Sequence, residues 1–337
     1  MQTHHHHRNI RILIGAVAGL SLVVAACGSD SEDATPVDDG AVATTDMDMN
    51  DDVHMDPDME DDEAVAAGTT EGAAAEGDVP ERIVSLSPTH TEILFAIGAG
   101  DQVVAVDDFS NFPAEALDLP NELSGFEPNI EAIAAYEPDL VVLSDDGAVA
   151  QLEDLGIATW VGPSATTFDD SYAQIEQLGA ATGHVGDAAE VVLSMQTRID
   201  ELVADAPASD TPLTYFHELD PSLFSVTSDT FIGQQYELLG LTNIAGSSVD
   251  GGGNQYPQLN AETVIAANPD LIFLADTKCC GENAATVAER DGWAEIAAVQ
   301  NGNVIEMDDD IASRWGPRIV DYMEAIAAAV EQASVPA

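Results

Sequence analysis

The chain has very few positively charged residues. Only 8 Lys and Arg stand against 62 Asp and Glu among 337 residues, and the formal net charge is −54. Proteins that bind nucleic acid neutralise its phosphates with Lys and Arg. The composition therefore excludes a nucleic-acid partner, and it also disfavours direct binding to anionic lipid headgroups. The acidity itself is compatible with a salt-tolerant surface protein.

Catalytic motifs are missing as well. The chain contains no GxSxG elbow, no HExxH pair and no Cys–His protease signature. Its single histidines are isolated from one another, and its carboxylates are so abundant that pairs of them arise by chance. The sequence therefore predicts a protein that is not an enzyme, without a metal centre or intrinsic cofactor.

No apolar run is long enough to span a membrane comfortably. The run Ile12–Ala26 follows Arg8 and Arg11 and ends at Cys27, which is typical of a secretory signal. The ending Val-Ala-Ala-Cys resembles a bacterial lipobox, so residues 1–26 are predicted to be a lipoprotein signal peptide. That resemblance implies cleavage before Cys27 and lipidation of its thiol; a plain signal peptide or a short anchor helix is the alternative.

Large apolar side chains are nearly absent from residues 27–80. This segment holds many Asp and Glu but no Lys or Arg, so it cannot bury enough surface to fold alone. We predict an extended acidic tether between the lipidated cysteine and a globular body. Its stretch MDMNDDVHMDPDME is either a solvated stalk, which its composition favours, or a weak metal-collecting segment.

Cysteine is scarce, with only 3 residues in the chain. If Cys27 carries lipid, the adjacent pair Cys279 and Cys280 is all that remains, and a long-range disulfide framework is excluded. The pair is either a vicinal disulfide, which an oxidising compartment favours, or two free thiols. A soft-metal site is less favoured because no His or further Cys sits at ligand spacing.

What the chain does contain is a long internal repeat. The segment NIEAIAAYEPDLVVLSDD begins at Asn129, and NAETVIAANPDLIFLADT begins at Asn260. Each copy reads as a short helix, a Pro-Asp break and a buried strand. A unit that recurs twice at domain-sized spacing predicts two similar lobes with a cleft between them.

Strands alternate with helices from Arg82 onward, which favours parallel sheets covered on both faces. Apolar residues recur with a helical period through 185–207, and a helix of this length is a candidate stiff bridge. We therefore predict an α/β fold in which two similar lobes, 81–184 and 208–337, have central, mainly parallel sheets joined by one long helix.

The order of the motifs resembles a known family. RIVSLSPTHTEILFAIGAGDQVVAVDDFSNFP, the two repeat copies and GWAEIAAVQNGNVIEMDDD followed by GPRIVD are similar to the helical-backbone (class III) solute-binding proteins of ABC importers. This group includes the vitamin B12-binding and ferric siderophore-binding proteins. The resemblance implies an extracytoplasmic, membrane-anchored monomer whose partners are a permease and its ATPase.

One glutamate per repeat copy matches the family's permease-docking residue. These are Glu131 and Glu262, each two residues after the Asn that starts the copy. The resemblance implies that they pair with arginines of the permease. The alternative is that both simply stabilise a helix start, where a carboxylate is favoured by the helix dipole.

The resemblance also implies a cleft lined by aromatic and a few polar residues. The candidates placed by loop position are Ser87, Phe109, Phe126, Phe216, Tyr256, Trp315, Arg314 and Arg318. Core packing is the alternative for Phe216, and salt bridging to Met307–Asp310 is the alternative for the two arginines. The Cys279–Cys280 loop is a further candidate for the rim of the cleft.

The predicted ligand is a metal chelate, either cobalamin or another corrinoid, or a ferric siderophore, with haem left open. The first lobe has Arg82 as its only strong cation, and this mildly favours a neutral corrinoid. A two-lobed α/β enzyme and a surface sensor or adhesion protein are the rival functions.

Overall fold

The computed structural model describes residues 79–207, 211–246 and 254–334. The predicted signal peptide, Cys27 and the tether lie outside the described residues, so these assignments and the boundaries at 26 and 80 stay predictions. Among the described helices, none combines the length and apolar character that crossing a membrane requires.

Lobe 1 is built around four short parallel strands, β1 Ile83–Ser85, β2 Val103–Val106, β3 Leu140–Leu143 and β4 Ala158–Val161, in the order β2-β1-β3-β4. The helices between them are α1 Pro88–Ala96, α2 Ile130–Ala134 and α3 Val149–Glu153, and α4 Phe168–Thr182 follows β4.

Lobe 2 repeats this topology. Its strands are β5 Thr214–Glu218, β6 Thr242–Asn243, β7 Leu271–Leu274 and β8 Val304–Glu306, all parallel, in the order β6-β5-β7-β8. Its helices are α6 Phe231–Leu238, α7 Ala261–Ala267, α8 Thr277–Cys280, α9 Ala284–Glu289, α10 Ala297–Asn301, α11 Asp309–Ala312 and α12 Ile319–Ser334. The predicted fold class is confirmed.

Helix α5, Val185–Asp205, connects the two lobes. Its buried side chains Val192, Met195 and Ile199 recur with the predicted helical period. They belong to one core cluster that also contains residues of α1, α4, α6 and α12. The connection between the lobes is therefore packed along its length and is stiffer than a pair of crossing strands would be.

The repeated strands bury both of their faces. In β3, Leu140 and Val142 join the core shared with α5, whereas Val141 and Leu143 pack on the outer side of lobe 1. The strand β7 divides its side chains in the same alternating way between the shared core and an outer core of lobe 2. Burial on both faces explains why each strand reads as a continuous apolar run.

The Pro-Asp of each repeat copy pins the start of a central strand. The Asp139 carboxylate accepts hydrogen bonds from the backbone N–H groups of Glu81 and Arg82, both at 3.0 Å. The Asp270 carboxylate accepts from the N–H and the hydroxyl of Thr214, both at 2.8 Å. The repeat thus encodes the amino edge of both sheets.

The segments after β7 and β8 contain short helices. The segment TKCCGENAATVAERDGW contains the short helices α8 and α9, and DDIASRWGPR contains α11. These helices have four to six residues, too few for an apolar period to show in sequence. Local side-chain capping defines them instead: Asn283 caps α9 and Asp308 caps α11.

Candidate functional site

The carboxyl edges of the two sheets face each other. Asn111, in the loop after β2, donates its side-chain N–H to the Asp310 carboxylate, beyond β8, at 3.0 Å. The Arg314 guanidinium donates to the backbone oxygen of Phe109 at 3.0 Å. Ligands of open α/β sheets bind beyond the carboxyl ends of the strands, so these loops frame the candidate site.

A buried carboxylate joins the lobes beside this edge. Glu92 on α1 accepts hydrogen bonds from Arg314 at 2.6 Å and from Arg318 at 2.5 and 3.0 Å. Arg314 also contacts Asp310 and Asn111, each at 3.0 Å. Both guanidinium groups are therefore held by carboxylates of the protein itself.

The ligand role of Arg314 and Arg318 therefore stays a prediction. The predicted alternative, pairing with the Asp run after β8, holds for Arg314 and Asp310. Glu92 could not be identified from the sequence, because it lies 222 residues from Arg314 in the middle of α1. Only the packing of the two lobes brings these groups together.

Trp315 lies in the contact between the lobes. Its indole N–H donates to the Gln174 side chain at 2.9 Å, and its backbone oxygen accepts from the Ser171 hydroxyl at 2.5 Å. Its ring meets His90 edge to face with centroids 5.8 Å apart. Burial lowers the pKa of His90 to about 4, so this histidine is neutral at physiological pH.

Three predicted aromatics are exposed near the carboxyl edges. Phe109 is 53% exposed and Phe126 is 82% exposed, and their rings meet edge to face at 5.7 Å on lobe 1. Tyr256 is 47% exposed on lobe 2. Phe126 precedes Asn129 by three residues and Tyr256 precedes Asn260 by four. The two lobes therefore present a ring at matching places in their folds.

Two other predicted positions are buried. Phe216 has no exposed surface and packs in the outer core of lobe 2 against Trp293. Its assignment to the ligand cleft is wrong, because side chains of a central strand are covered by helices on both faces. Ser87 directly precedes α1, but it is buried and its side chain makes no capping hydrogen bond.

Aspartates follow five of the eight strands in the described residues, and this pattern can be read directly from the sequence. They are visible in VVAVDD, LVVLSDD, YFHELD, LIFLAD and VIEMDDD. The residues concerned are Asp107 and Asp108, Asp145 and Asp146, Asp220, Asp276, and Asp308, Asp309 and Asp310. Since parallel strands end at one edge of their sheet, both carboxyl edges are acidic.

Lobe 2 holds a buried carboxyl cluster at this edge. Glu218 receives two hydrogen bonds from Arg290, at 2.5 and 2.7 Å, and Glu282 receives another at 2.7 Å. No hydrogen-bond donor reaches either carboxyl oxygen of the buried Asp276. Burial, and then the negative charge of Glu218, raises the pKa of Asp276 to about 7.

Lobe 1 has a milder counterpart. Asp107 is buried just beyond β2 and accepts a hydrogen bond from the N–H of Phe109 at 3.0 Å. Burial raises the pKa of Asp107 to about 6. Each lobe thus has a carboxyl group at its carboxyl edge that ionises less readily than an exposed aspartate.

Cys279 and Cys280 are joined as a vicinal disulfide and are exposed at the end of α8. The carboxylate of Asp309 accepts hydrogen bonds from the N–H groups of Thr277, Lys278 and Cys279, each at 2.9 Å. The Lys278 ammonium bridges Asp308 and Asp310. Because Asp310 also contacts Asn111, α8 adjoins the contact between the lobes.

Glu131 and Glu262 occupy equivalent, exposed positions. Each is the second residue of a helix whose first turn is capped by an Asn side chain, Asn129 at 3.1 Å and Asn260 at 2.8 Å. Within the part of the chain that the structure describes, neither carboxylate has a hydrogen bond or an ion pair. The helix dipole favours a carboxylate at both positions.

A concavity of about 680 Å³ lies elsewhere, on the flank of lobe 1 between α1 and Phe112–Leu119. It includes none of the exposed aromatics at the carboxyl edges. Within residues 79–207, 211–246 and 254–334, no group of three or more His, Cys, Asp or Glu side chains is arranged to hold a metal ion.

Comparison with known proteins gives consistent matches. A model of the family described as periplasmic binding protein matches residues 83–311. The ABC transporter substrate-binding lipoprotein YvrC of Bacillus subtilis is 31% identical over 74% of this chain and 80% of its own length. The vitamin B12-binding protein of Vibrio cholerae is 30% identical over 73% of this chain and 87% of its own length.

A solved structure extends this likeness to the fold. The periplasmic vitamin B12-binding protein BtuF of Vibrio cholerae matches with a TM-score of 0.63 at 28% identity. The match covers 76% of this chain and 99% of that one.

Proposed function

The chain belongs to the family of periplasmic binding proteins, and on that premise we propose that it is the extracytoplasmic solute-binding component of an ABC importer. It captures a metal chelate between its lobes and presents it to the permease, with no chemical step of its own. A corrinoid such as cobalamin is the ligand that the site supports best.

The observation that best supports this proposal is an exposed aromatic ring at matching places on the two facing edges. Phe126, backed by Phe109, lies on lobe 1, and Tyr256 lies on lobe 2. Aromatic side chains bury large areas against a ligand with few rotatable bonds. Two such rings on opposite walls suit a bulky, rigid molecule with extended apolar faces. The relative named as a vitamin B12-binding protein supports the same ligand class.

Calorimetric titration of the full-length chain with cyanocobalamin tests this proposal. We expect saturable binding at one site, and we expect Phe126→Ala and Tyr256→Ala each to weaken it by about tenfold or more, since each removes a contact of about 1–2 kcal/mol. Leu155→Ala is the matched control, because Leu155 is an equally exposed apolar residue beyond α3, at the amino edge of the sheet.

Two outcomes would count against the proposal. Absence of binding would exclude a corrinoid as the ligand. Unchanged affinity in both aromatic variants would place the ligand away from these rings. Chemically unaltered ligand recovered after prolonged incubation is expected, and turnover would favour the rival enzyme function.

We propose further that Glu131 and Glu262 dock the protein on its permease. Their exposure, their lack of partners among the described residues and their equivalent places in the two lobes support this role. A carboxylate pairs well with an arginine through charge-assisted hydrogen bonds. Two such groups, one per lobe, would orient the binding protein over a two-fold arrangement of permease subunits.

The double variant Glu131→Ala, Glu262→Ala separates docking from ligand binding. We expect unchanged affinity for cyanocobalamin, together with loss of uptake in cells that depend on this chain for import. Glu153→Ala is the control, since Glu153 is an exposed glutamate at the amino edge of lobe 1. Normal uptake by the double variant would refute the docking role.

The membrane attachment is also a proposal. Cys27 would carry the lipid, and residues 27–80 would form the tether. The relative named as a lipoprotein supports this assignment. Cys27→Ser should release the protein from the membrane fraction without changing its ligand affinity, and continued membrane attachment would contradict it.

A further inference from the structure

The positive charges of the folded body are all committed to internal partners. From Arg82 onward the chain has six Lys and Arg residues, and all six lie within the described residues. Four are near the carboxyl edge of lobe 2 and are paired with carboxylates. They are Lys278 with Asp308 and Asp310, Arg290 with Glu218 and Glu282, Arg314 with Glu92 and Asp310, and Arg318 with Glu92.

The remaining two lie away from the facing edges. Arg82 donates to the backbone oxygens of Tyr136 and Glu137 at the amino edge of lobe 1. Arg198 on α5 pairs with Glu201 and with Glu324 on α12. Within the described residues, no Lys or Arg is therefore left unpaired to receive an anionic group of a ligand.

The three histidines among the described residues do not supply the missing charge. His90 and His217 are buried, and burial lowers the pKa of each far below neutrality. His184 is paired with Asp187 at the junction of α4 and α5. Recruiting Arg314 to a ligand anion would instead strip Glu92 of a partner and leave a buried carboxylate under-compensated, which is strongly unfavourable.

The edge of lobe 1, by contrast, presents carboxylates that form no ion pair among the described residues. Asp108, Asp145 and Asp146 are exposed just beyond β2 and β3. Asp145 accepts only the N–H of Gly147, and the side chains of Asp108 and Asp146 have no partner among the described residues. The nearby rings of Phe109 and Phe126 have faces that attract neutral apolar surfaces and cations.

From these contacts we propose that the cleft selects its chelate by charge. It binds large chelates that are neutral or positively charged and rejects anionic ones such as haem propionates or ferric catecholates. The inference rests on the proposed solute-binding function and adds the ligand's charge class. Charge selection of this kind acts through repulsion of the wrong ligand as well as attraction of the right one.

Three corrinoids that differ in one peripheral group provide the test. The probes are cyanocobalamin, the monocarboxylate obtained by hydrolysing one propionamide, and the aminoethyl amide made from that carboxylate. We expect the full-length chain to bind the aminoethyl amide at least about tenfold more tightly than the monocarboxylate at low salt, with a smaller ratio at high salt because ions screen exposed charges.

Variants at the edge sharpen the test. Asp146→Lys should change the ratio of the dissociation constant of the monocarboxylate to that of the aminoethyl amide. We expect this ratio to fall by about threefold or more, because the new ammonium attracts the carboxylate probe and repels the amine. Asp154→Lys is the matched control. Asp154 is exposed beyond α3, at the amino edge of the same sheet, and the ratio should stay at the value of the unaltered protein.

The outcomes separate the charge rule from the corrinoid-binding function. Equal affinity for the three corrinoids, or a preference for the carboxylate, overturns the charge rule and leaves the corrinoid-binding function intact. If none of the three binds, the corrinoid assignment fails, and neutral ferrichrome is compared with anionic ferric enterobactin and haem. Preference for an anionic iron chelate then overturns the charge rule, and absence of all binding overturns both proposals.

Discussion

Lobe 1 and lobe 2 are built alike in the scaffold that the repeat encodes. An Asn side chain caps the helix before the third strand in each lobe, and an Asp pins the neighbouring central strand. The strand order is the same in both sheets. These side chains bond to backbone groups whose geometry the fold fixes, so a change in either copy removes a hydrogen bond that holds a strand or a helix start.

At the carboxyl edge the lobes differ. Lobe 2 carries Lys278, Arg290, Arg314 and Arg318, whereas the corresponding edge of lobe 1 has carboxylates and exposed rings but no Lys or Arg. Glu92, the buried glutamate of α1, pairs with lobe 2 rather than with its own lobe. Loops that are not tied to the sheet are free to diverge, and here they carry the contact between the lobes and the proposed ligand site.

The largest expected effect comes from removing the shared acid. Glu92→Ala leaves the guanidinium groups of Arg314 and Arg318 without their common partner, so the free energy of unfolding should fall by about 3–5 kcal/mol. Urea denaturation measures it, because urea does not screen charge as guanidinium does. Glu153→Ala, an exposed glutamate, should change stability by less than about 0.5 kcal/mol.

A small effect of Glu92→Ala would mean that the lobes are held together by apolar packing alone. The shared core that contains α5 and α12 would then be sufficient to join them. Glu92→Gln helps to separate the two possibilities, because it keeps the shape and some hydrogen bonds but removes the charge.

How much the sequence revealed depends on the range of the interaction. The bridge helix starting at Val185 was predicted to the residue at its start, because an apolar period is a local signal. The pairing of Glu92 with Arg314 was not, since nothing in a chain relates two charges 222 residues apart. Phe216 was misplaced for a similar reason: its burial depends on helices that cover the strand.

A middle-sized effect is expected from the carboxyl groups at the two edges. The pKa of Asp276 is raised to about 7 and that of Asp107 to about 6, each from an ordinary value of 3.8. Between the ordinary and the raised pKa the folded state therefore binds more protons than the unfolded state. The resulting contribution to stability is fully present below about pH 4 and is lost as the pH rises through the raised value.

Asp276→Asn should consequently flatten the fall in unfolding free energy between pH 5 and about pH 8, because an amide needs no proton to stay neutral. Asp107→Asn should flatten the dependence of the unfolding free energy on pH below about pH 6.5. Asp154→Asn, exposed at the amino edge, serves as the control. Urea unfolding across this range measures the slopes, and a slope for Asp276→Asn equal to that of the unaltered protein would mean that this carboxyl is ionised in the fold.

The smallest effect tests the shared helix caps of the repeat directly. Asn129→Ala and Asn260→Ala each remove one capping hydrogen bond to a backbone N–H, and each should lower the free energy of unfolding by about 1 kcal/mol. Asn→Asp at either position keeps an acceptor and should cost only a few tenths. Asn260 also accepts a hydrogen bond from the Thr263 hydroxyl, so Asn260→Ala should cost slightly more than Asn129→Ala. A difference of more than about 1 kcal/mol would mean that the lobes share a sequence pattern without sharing its energetic role.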